Sequence, residues 1–185
     1  MSPLITTKAS ASAGAYGLFS PALVTGNFQS IQTVTLTTSA TTVSLSSIPS
    51  TFTHLQIRGL LKLAESGTSD NWATFTANGI STNAHQLQGS GSSVAGSNLN
   101  PWLFDAPQSG VTPYLAFILN IIDYSNTNKN KTWRSLNGFD NNGSGYVNFT
   151  SGFSVDLTAI SSVTFGSRSG SGLAAGSTFA LYGVK

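Results

Sequence analysis

The chain has 185 residues, of which 39% are hydrophobic and 8% charged, with 8 Lys and Arg against 6 Asp and Glu. Soluble domains average roughly 25% charged residues, so polarity here rests instead on 29 Ser, 22 Thr, 14 Asn and 19 Gly. The length predicts one domain, or one domain with an appendage, and the absence of Cys excludes disulfides, thiolate metal sites and a thiol nucleophile.

Residues 1–28 show no period. Small residues dominate Ala9 to Gly14, Pro3 and Pro21 punctuate the run, and the apolar anchors Leu4, Ile5, Tyr16, Leu18 and Phe19 stand apart. With one Lys and no continuous apolar stretch, the first twenty residues are expected to be neither a signal peptide nor a membrane span. The segment reads as an extended arm preceding a domain over 29–185. An arm without its own core is ordered only by what it packs on, which makes these five anchors candidate assembly contacts.

From about residue 30 the period is two, the signature of half-buried strands. Val34 and Leu36 alternate, as do Val43 and Leu45, while Leu55, Ile57, Leu61 and Leu63 oppose Gln56, Arg58 and Lys62. Phe75 leads into the turn pair Asn78-Gly79. Residues 89–110 read as a long loop whose apolar side chains must pack on something, adding Trp102, Leu103 and Phe104 to the candidate assembly contacts.

The run TPYLAFILNIIDY is apolar on both faces and predicts a central strand covered on both sides. KTWRSLNGF then enters Asp140-Asn141-Asn142-Gly143, which suits a hairpin. GYVNFT, a break at Ser151-Gly152, FSVDL, AISSVTF, a flexible tip over 167–176 and STFALYGV follow. About nine short strands without helical period predict an all-β fold, a two-sheet antiparallel β-sandwich of jelly-roll type.

Chemistry-bearing residues are sparse. The acids Glu65, Asp70, Asp105, Asp123, Asp140 and Asp156 fall at separate turns and strand ends, where Asp ordinarily bonds its own backbone. A Ser nucleophile needs His and an orienting acid, and only His54 and His85 exist, both expected off the apolar face, with no G-x-S-x-G elbow. Asp140 to Gly145 carries oxygen ligands beside glycines, but no Glu closes a calcium loop. Neither catalysis, a cofactor nor a metal is expected. The basic residues Lys62, Lys129, Lys131, Arg134 and Arg168 are scattered, which argues against nucleic acid. Trp72, Trp102, Trp133, Tyr114, Tyr124 and Tyr146 are the aromatics on which a sugar ring could stack, although core burial is their ordinary role.

Low charge, few strand lysines and a coreless arm together predict a subunit of a symmetric homo-oligomer, with a trimer as the expected order. LITTKASASAGAYG, FTHLQIRG, IIDYSNTNKNKTWRSLNGFDNNGSGYV and AAGSTFALYGVK resemble the small virion proteins of tailed bacteriophages, notably those infecting cyanobacteria and other aquatic bacteria. The resemblance spans both ends and the middle of the chain, without a strict motif. It implies a jelly-roll body and a role as capsid decoration (cement) protein, head fibre or tail protein. The short chain leaves no room for a fibre shaft, which favours a compact subunit on the outer surface of the capsid. The expected partner is then the major capsid protein or another virion protein. The alternative is a head- or tail-attached adhesin binding a host surface glycan.

Overall fold

The computed structural model describes residues 27–66, 71–81, 83–99 and 103–185. In chain order the strands are β1 (Phe28–Thr35), β2 (Thr42–Leu45), β3 (His54–Leu61), β4 (Trp72–Ala77), β5 (Ala84–Ser90) and β6 (Ser93–Leu99). They continue as β7 (Leu103–Asp105), β8 (Leu115–Ile122), β9 (Lys131–Asp140), β10 (Gly145–Ser154), β11 (Val163–Ser167) and β12 (Thr178–Val184). The larger sheet has the order β1-β12-β3-β8-β9-β10-β5-β6, the smaller β2-β11-β4-β7, and all pairings are antiparallel. The protein is an all-β sandwich.

Setting aside the hairpins β5–β6 and β9–β10 leaves two four-stranded sheets, β1-β12-β3-β8 and β2-β11-β4-β7. That is the strand arrangement of a jelly roll. Both extra hairpins attach beyond β8, so the larger sheet is an ordinary jelly-roll sheet widened by four strands along one edge.

The core lies between the sheets. Leu55, Ile57, Leu61 and Leu63 are fully buried from β3 and its end, as their alternation predicts. Val43 and Leu45 are buried from β2, and Phe75 and Phe165 from β4 and β11. Phe165 packs on Phe179 with ring centroids 4.9 Å apart, and Phe117 lies 6.0 Å from Phe179. Gly59 separates Phe117 from Phe179 in the ladder, and a Cβ there would stand 2.7 Å from the Phe117 ring. Each buried ring or branched aliphatic side chain is worth about 1.5–3 kcal/mol.

Two predicted turns form as their residues require. Asn142 and Gly143 both take positive φ, 55° and 87°, the type I′ geometry that joins β9 to β10. Asn78 and Gly79 do the same at 51° and 75°. There the chain leaves β4 in one sheet and next pairs as β5 in the other, so the turn redirects the chain between sheets.

Several expectations need correction. Residues 89–110 are not one loop: they contain β6 and β7. Ser151-Gly152 does not break a strand, because β10 runs through it with Gly152 opposite Trp133, while FSVDL leaves the ladder after Ser154. The 167–176 tip is tied down, since Leu173 is fully buried and exchanges backbone hydrogen bonds with Ala40. The twelve strands among the described residues therefore exceed the expected nine or so. β8 is central in its sheet, yet its second face, with Ile118 and Ile122 each 39% exposed, is uncovered by the other described residues. Of the predicted arm, Phe28 already belongs to β1, and residues 1–26 lie outside the described residues.

Candidate assembly face

Side chains alternate across a strand, so the ladders sort the larger sheet into transverse rows. Facing the smaller sheet, one row runs Leu181, Ile57, Leu119, Ser135, Thr150, Gln86. The next runs Phe179, Gly59, Phe117, Asn137, Asn148, Gln88. Both are apolar from β12 to β8 and polar from β9 to β5. In these two rows the jelly-roll half hides apolar residues and the added half polar ones; the next row, Ile121, Trp133, Gly152, Ala84 and Leu99, is apolar throughout.

The hidden polar residues are incompletely satisfied. Asn137 Nδ2 donates to Ser135 Oγ at 3.0 Å and Asn148 Nδ2 to Asn137 Oδ1 at 3.3 Å. Gln86 Oε1, Asn148 Oδ1 and Thr150 Oγ1 are buried and make no hydrogen bond among the described residues. A buried polar group without a partner costs about 1–3 kcal/mol. Along these two rows inward burial is thus a weak source of stability for β9, β10 and β5, whose apolar contribution to the core comes chiefly from Trp133 and Ala84.

Their apolar side chains point the other way. The outer row Ile118, Leu136, Phe149, Leu87 crosses β8, β9, β10 and β5 without interruption. Leu136 is 54% exposed, Phe149 49% and Leu87 54%. Beside it runs a row of smaller residues, Ala116, Gly138, Val147, Gly89, flanked by the exposed Leu60 and Val94. A trough of about 720 Å³ lies in this second row at Ala116 and Gly138, with Ile118 and Leu136 beside it and Leu60 and Val147 at its two ends.

The face has charged margins. Arg134 and Asp140 are both exposed and point outward from β9, two residues to either side of Leu136 and Gly138 respectively. On β3, Arg58 lies 5.6 Å from the ring centroids of both Phe28 and Tyr182, and its Nε donates to Gln56 Oε1.

The titratable groups form separate structural contacts. His54 Nδ1 accepts the Asp123 N–H at 3.0 Å, and the Lys129 ammonium pairs with the Asp123 carboxylate, holding it below the usual carboxylate range. The same His54 nitrogen lies 3.5 Å from the Asp123 carboxylate, so Asp123 meets it with both backbone and side chain. His85 is exposed on the outer side of β5, as expected. Asp140 Oδ1 accepts the Gly143 N–H at 2.8 Å, which caps the hairpin. Lys62 Nζ donates to the Val111 and Thr112 carbonyls at 2.8 and 2.9 Å above the Tyr114 ring, and burial lowers its pKa. Lys131 is fully buried with its ammonium on the Leu157 carbonyl; burial lowers its pKa and Asp156 opposes the shift. Among the described residues no three His, Asp or Glu side chains converge as a metal site would require.

The aromatics named for sugar stacking separate. Trp133 and Tyr124 are fully buried, Trp133 edge-on to Phe75 and Tyr124 donating to the Pro49 carbonyl, so neither can receive a ligand ring. Tyr114 donates to the Ala175 carbonyl at 3.0 Å. Tyr146 meets Phe139 edge-on and lines a cavity of about 340 Å³ with Asn71, Gln108, Asn141 and Ser144. Trp72 is partly buried on β4, and Trp102 lies outside the described residues.

The predicted assembly contacts fare unevenly. Leu4, Ile5, Tyr16, Leu18 and Phe19 lie outside the described residues, as does Trp102, and Leu103 opens β7. Phe104 is wholly buried, stacked on Phe117 at 5.4 Å, so its ring serves this chain's own core and offers no surface to a partner. The exposed face was missed although its signal is in the sequence: Val147 and Phe149 alternate with Asn148 and Thr150, and either set could have been the inner one.

No family model, no curated protein and no solved structure matches the chain.

Proposed function

We propose that this chain is a non-enzymatic structural subunit that acts by covering and bracing other protein surface, as a decoration (cement) protein on the outside of a tailed-phage capsid. The carrying observation is the outward-facing apolar half of the larger sheet, from Ile118 to Leu87. Monomers rarely expose contiguous apolar patches beyond a few hundred Å², and larger ones mark interaction sites. The resemblance of the chain's ends and middle to small phage virion proteins supplies the setting, and the low charge suits close association. Burying apolar area at roughly 25 cal/mol per Å² across the seams of a shell, before ordering costs, resists internal pressure without any active site.

The test mixes the purified chain with genome-emptied shells that lack it and measures uptake and resistance to heat or low-salt rupture. Saturable binding with delayed rupture is the expected result. Shells that neither bind the chain nor gain resistance would overturn the reading.

The adhesin alternative draws on the cavity of Tyr146, Asn71, Gln108, Asn141 and Ser144, where amides and a hydroxyl surround an aromatic ring. Quenching of intrinsic fluorescence by host polysaccharide, with no uptake by shells, would move the function there.

A further inference from the structure

We infer that the outer face of the larger sheet is covered by a second copy of the same chain, packed face to face about a two-fold axis that runs across the strands. This rests on the reading above that the face is an assembly surface; it gives that face to a second copy, so that the pair would meet the shell through other surface.

The argument begins with the rows. Ile118, Leu136, Phe149 and Leu87 form a ridge; Ala116, Gly138, Val147 and Gly89, two residues away on the same four strands, form a lower row, hollowed into a trough at Ala116 and Gly138. Every strand thus carries a larger side chain in one row and a smaller one in the other. A two-fold axis lying between the rows exchanges them, setting each copy's ridge into its partner's trough. Face-to-face sheets pack about 10 Å apart with interdigitating side chains, and an isologous contact requires such a self-complementary surface.

Charge agrees independently. Along β9 the outward residues are Arg134, Leu136, Gly138 and Asp140. The axis that pairs Leu136 with Gly138 of the other copy also pairs Arg134 with Asp140 of that copy, twice per interface. No like charges on this strand meet.

Size is also adequate. Nine large apolar side chains on this side of the sheet from β3 to β6, between about 40% and 70% exposed, present on the order of 700 Å², near the roughly 800 Å² per partner of a standard interface. The pair is a two-fold unit, in place of the trimer expected from sequence.

The experiment uses the full chain in sedimentation equilibrium at micromolar concentration, with far-UV circular dichroism as the control for folding. Wild type is expected to sediment as a pair or a multiple of pairs. Arg134→Asp places Asp against Asp, and Asp140→Arg places Arg against Arg; each is expected to weaken association by roughly tenfold or more. An equimolar mixture of the two variants restores both ion pairs and is expected to recover the pair as a heterodimer. Ala116→Phe, which fills the trough, is expected to dissociate it and serves if either charge variant misfolds.

A wild type that sediments as a single copy overturns the inference, as does a mixture that fails to recover. Single-copy wild type that still binds shells would remove the second copy and leave the structural reading standing. Paired wild type that ignores shells would do the reverse.

Discussion

Gln88 Nε2 donates to Asp105 Oδ2 at 2.6 Å, joining the widened edge of the larger sheet to the last strand of the smaller one. Asn71 Nδ2 donates to the other carboxylate oxygen at 2.8 Å. Burial pushes the Asp105 carboxyl above its ordinary value, and the Gln88 hydrogen bond opposes the shift. A raised folded-state pKa means that the folded chain holds this proton more tightly than the unfolded chain. The resulting stability is fully present below the unfolded value of 3.8 and is lost as pH rises through the folded one. Urea unfolding across weakly acidic pH is expected to show this decline in wild type and not in Asp105→Ala. At neutral pH the variant loses about 1–3 kcal/mol, because two amides lose their acceptor.

Tyr124 anchors a corner. Its buried hydroxyl donates to the Pro49 carbonyl and accepts the Phe52 N–H at 3.4 Å, fixing the chain entering β3 against the residues after β8. Burial raises the pKa of this phenol. Tyr124→Phe keeps the ring and strands both backbone groups, so a loss of about 1–3 kcal/mol is expected in urea unfolding.

Two phenylalanines should separate stability from assembly. Phe104→Ala opens a cavity among Phe117 and Phe165 and is expected to cost about 3–5 kcal/mol. Phe149→Ser, on the outer ridge, is expected to change unfolding free energy by less than about 0.5 kcal/mol measured where the chain is a single copy, yet to impair association. Equal effects of the two on unfolding would mean that Phe149 is part of the core.

Gly183 lies under the Phe52 ring, and a Cβ there would overlap it. Gly183→Ala is expected to lose about 1–3 kcal/mol through forced displacement of the ring. Phe52→Leu should relieve part of that loss in the double variant, which a double-mutant cycle in urea would measure.

Legibility in the sequence followed the polarity contrast. Leu55, Ile57, Leu61 and Leu63 were readable because polar residues flank them, and Asn142-Gly143 because positive φ at both positions demands such residues. β6, SVAGSNL, was not, because as an edge strand it is exposed on both faces except at Leu99 and has no alternation to read. In β10 the alternation was clear but its sense was open, since a sequence shows two faces without saying which one the same chain covers. TPYLAFILNIIDY was read as covered on both sides because both its faces are apolar; among the described residues only one of them is covered. The aromatics failed as site markers because Trp133 and Tyr124 fill the interior.

The ladder that seats β12 between β1 and β3 also governs how the fold comes together. The earliest described strand has its place in the sheet only through the latest, Phe28 opposite Val184. Until those final residues are in position, β1 has no neighbour and one edge of β3 stands open. Such distant pairing makes closure slow, and an unclosed chain with the Phe149 ridge on one side invites premature association. The folded chain should therefore accumulate only when closure outruns encounter, and dilute refolding should yield more of it than concentrated refolding.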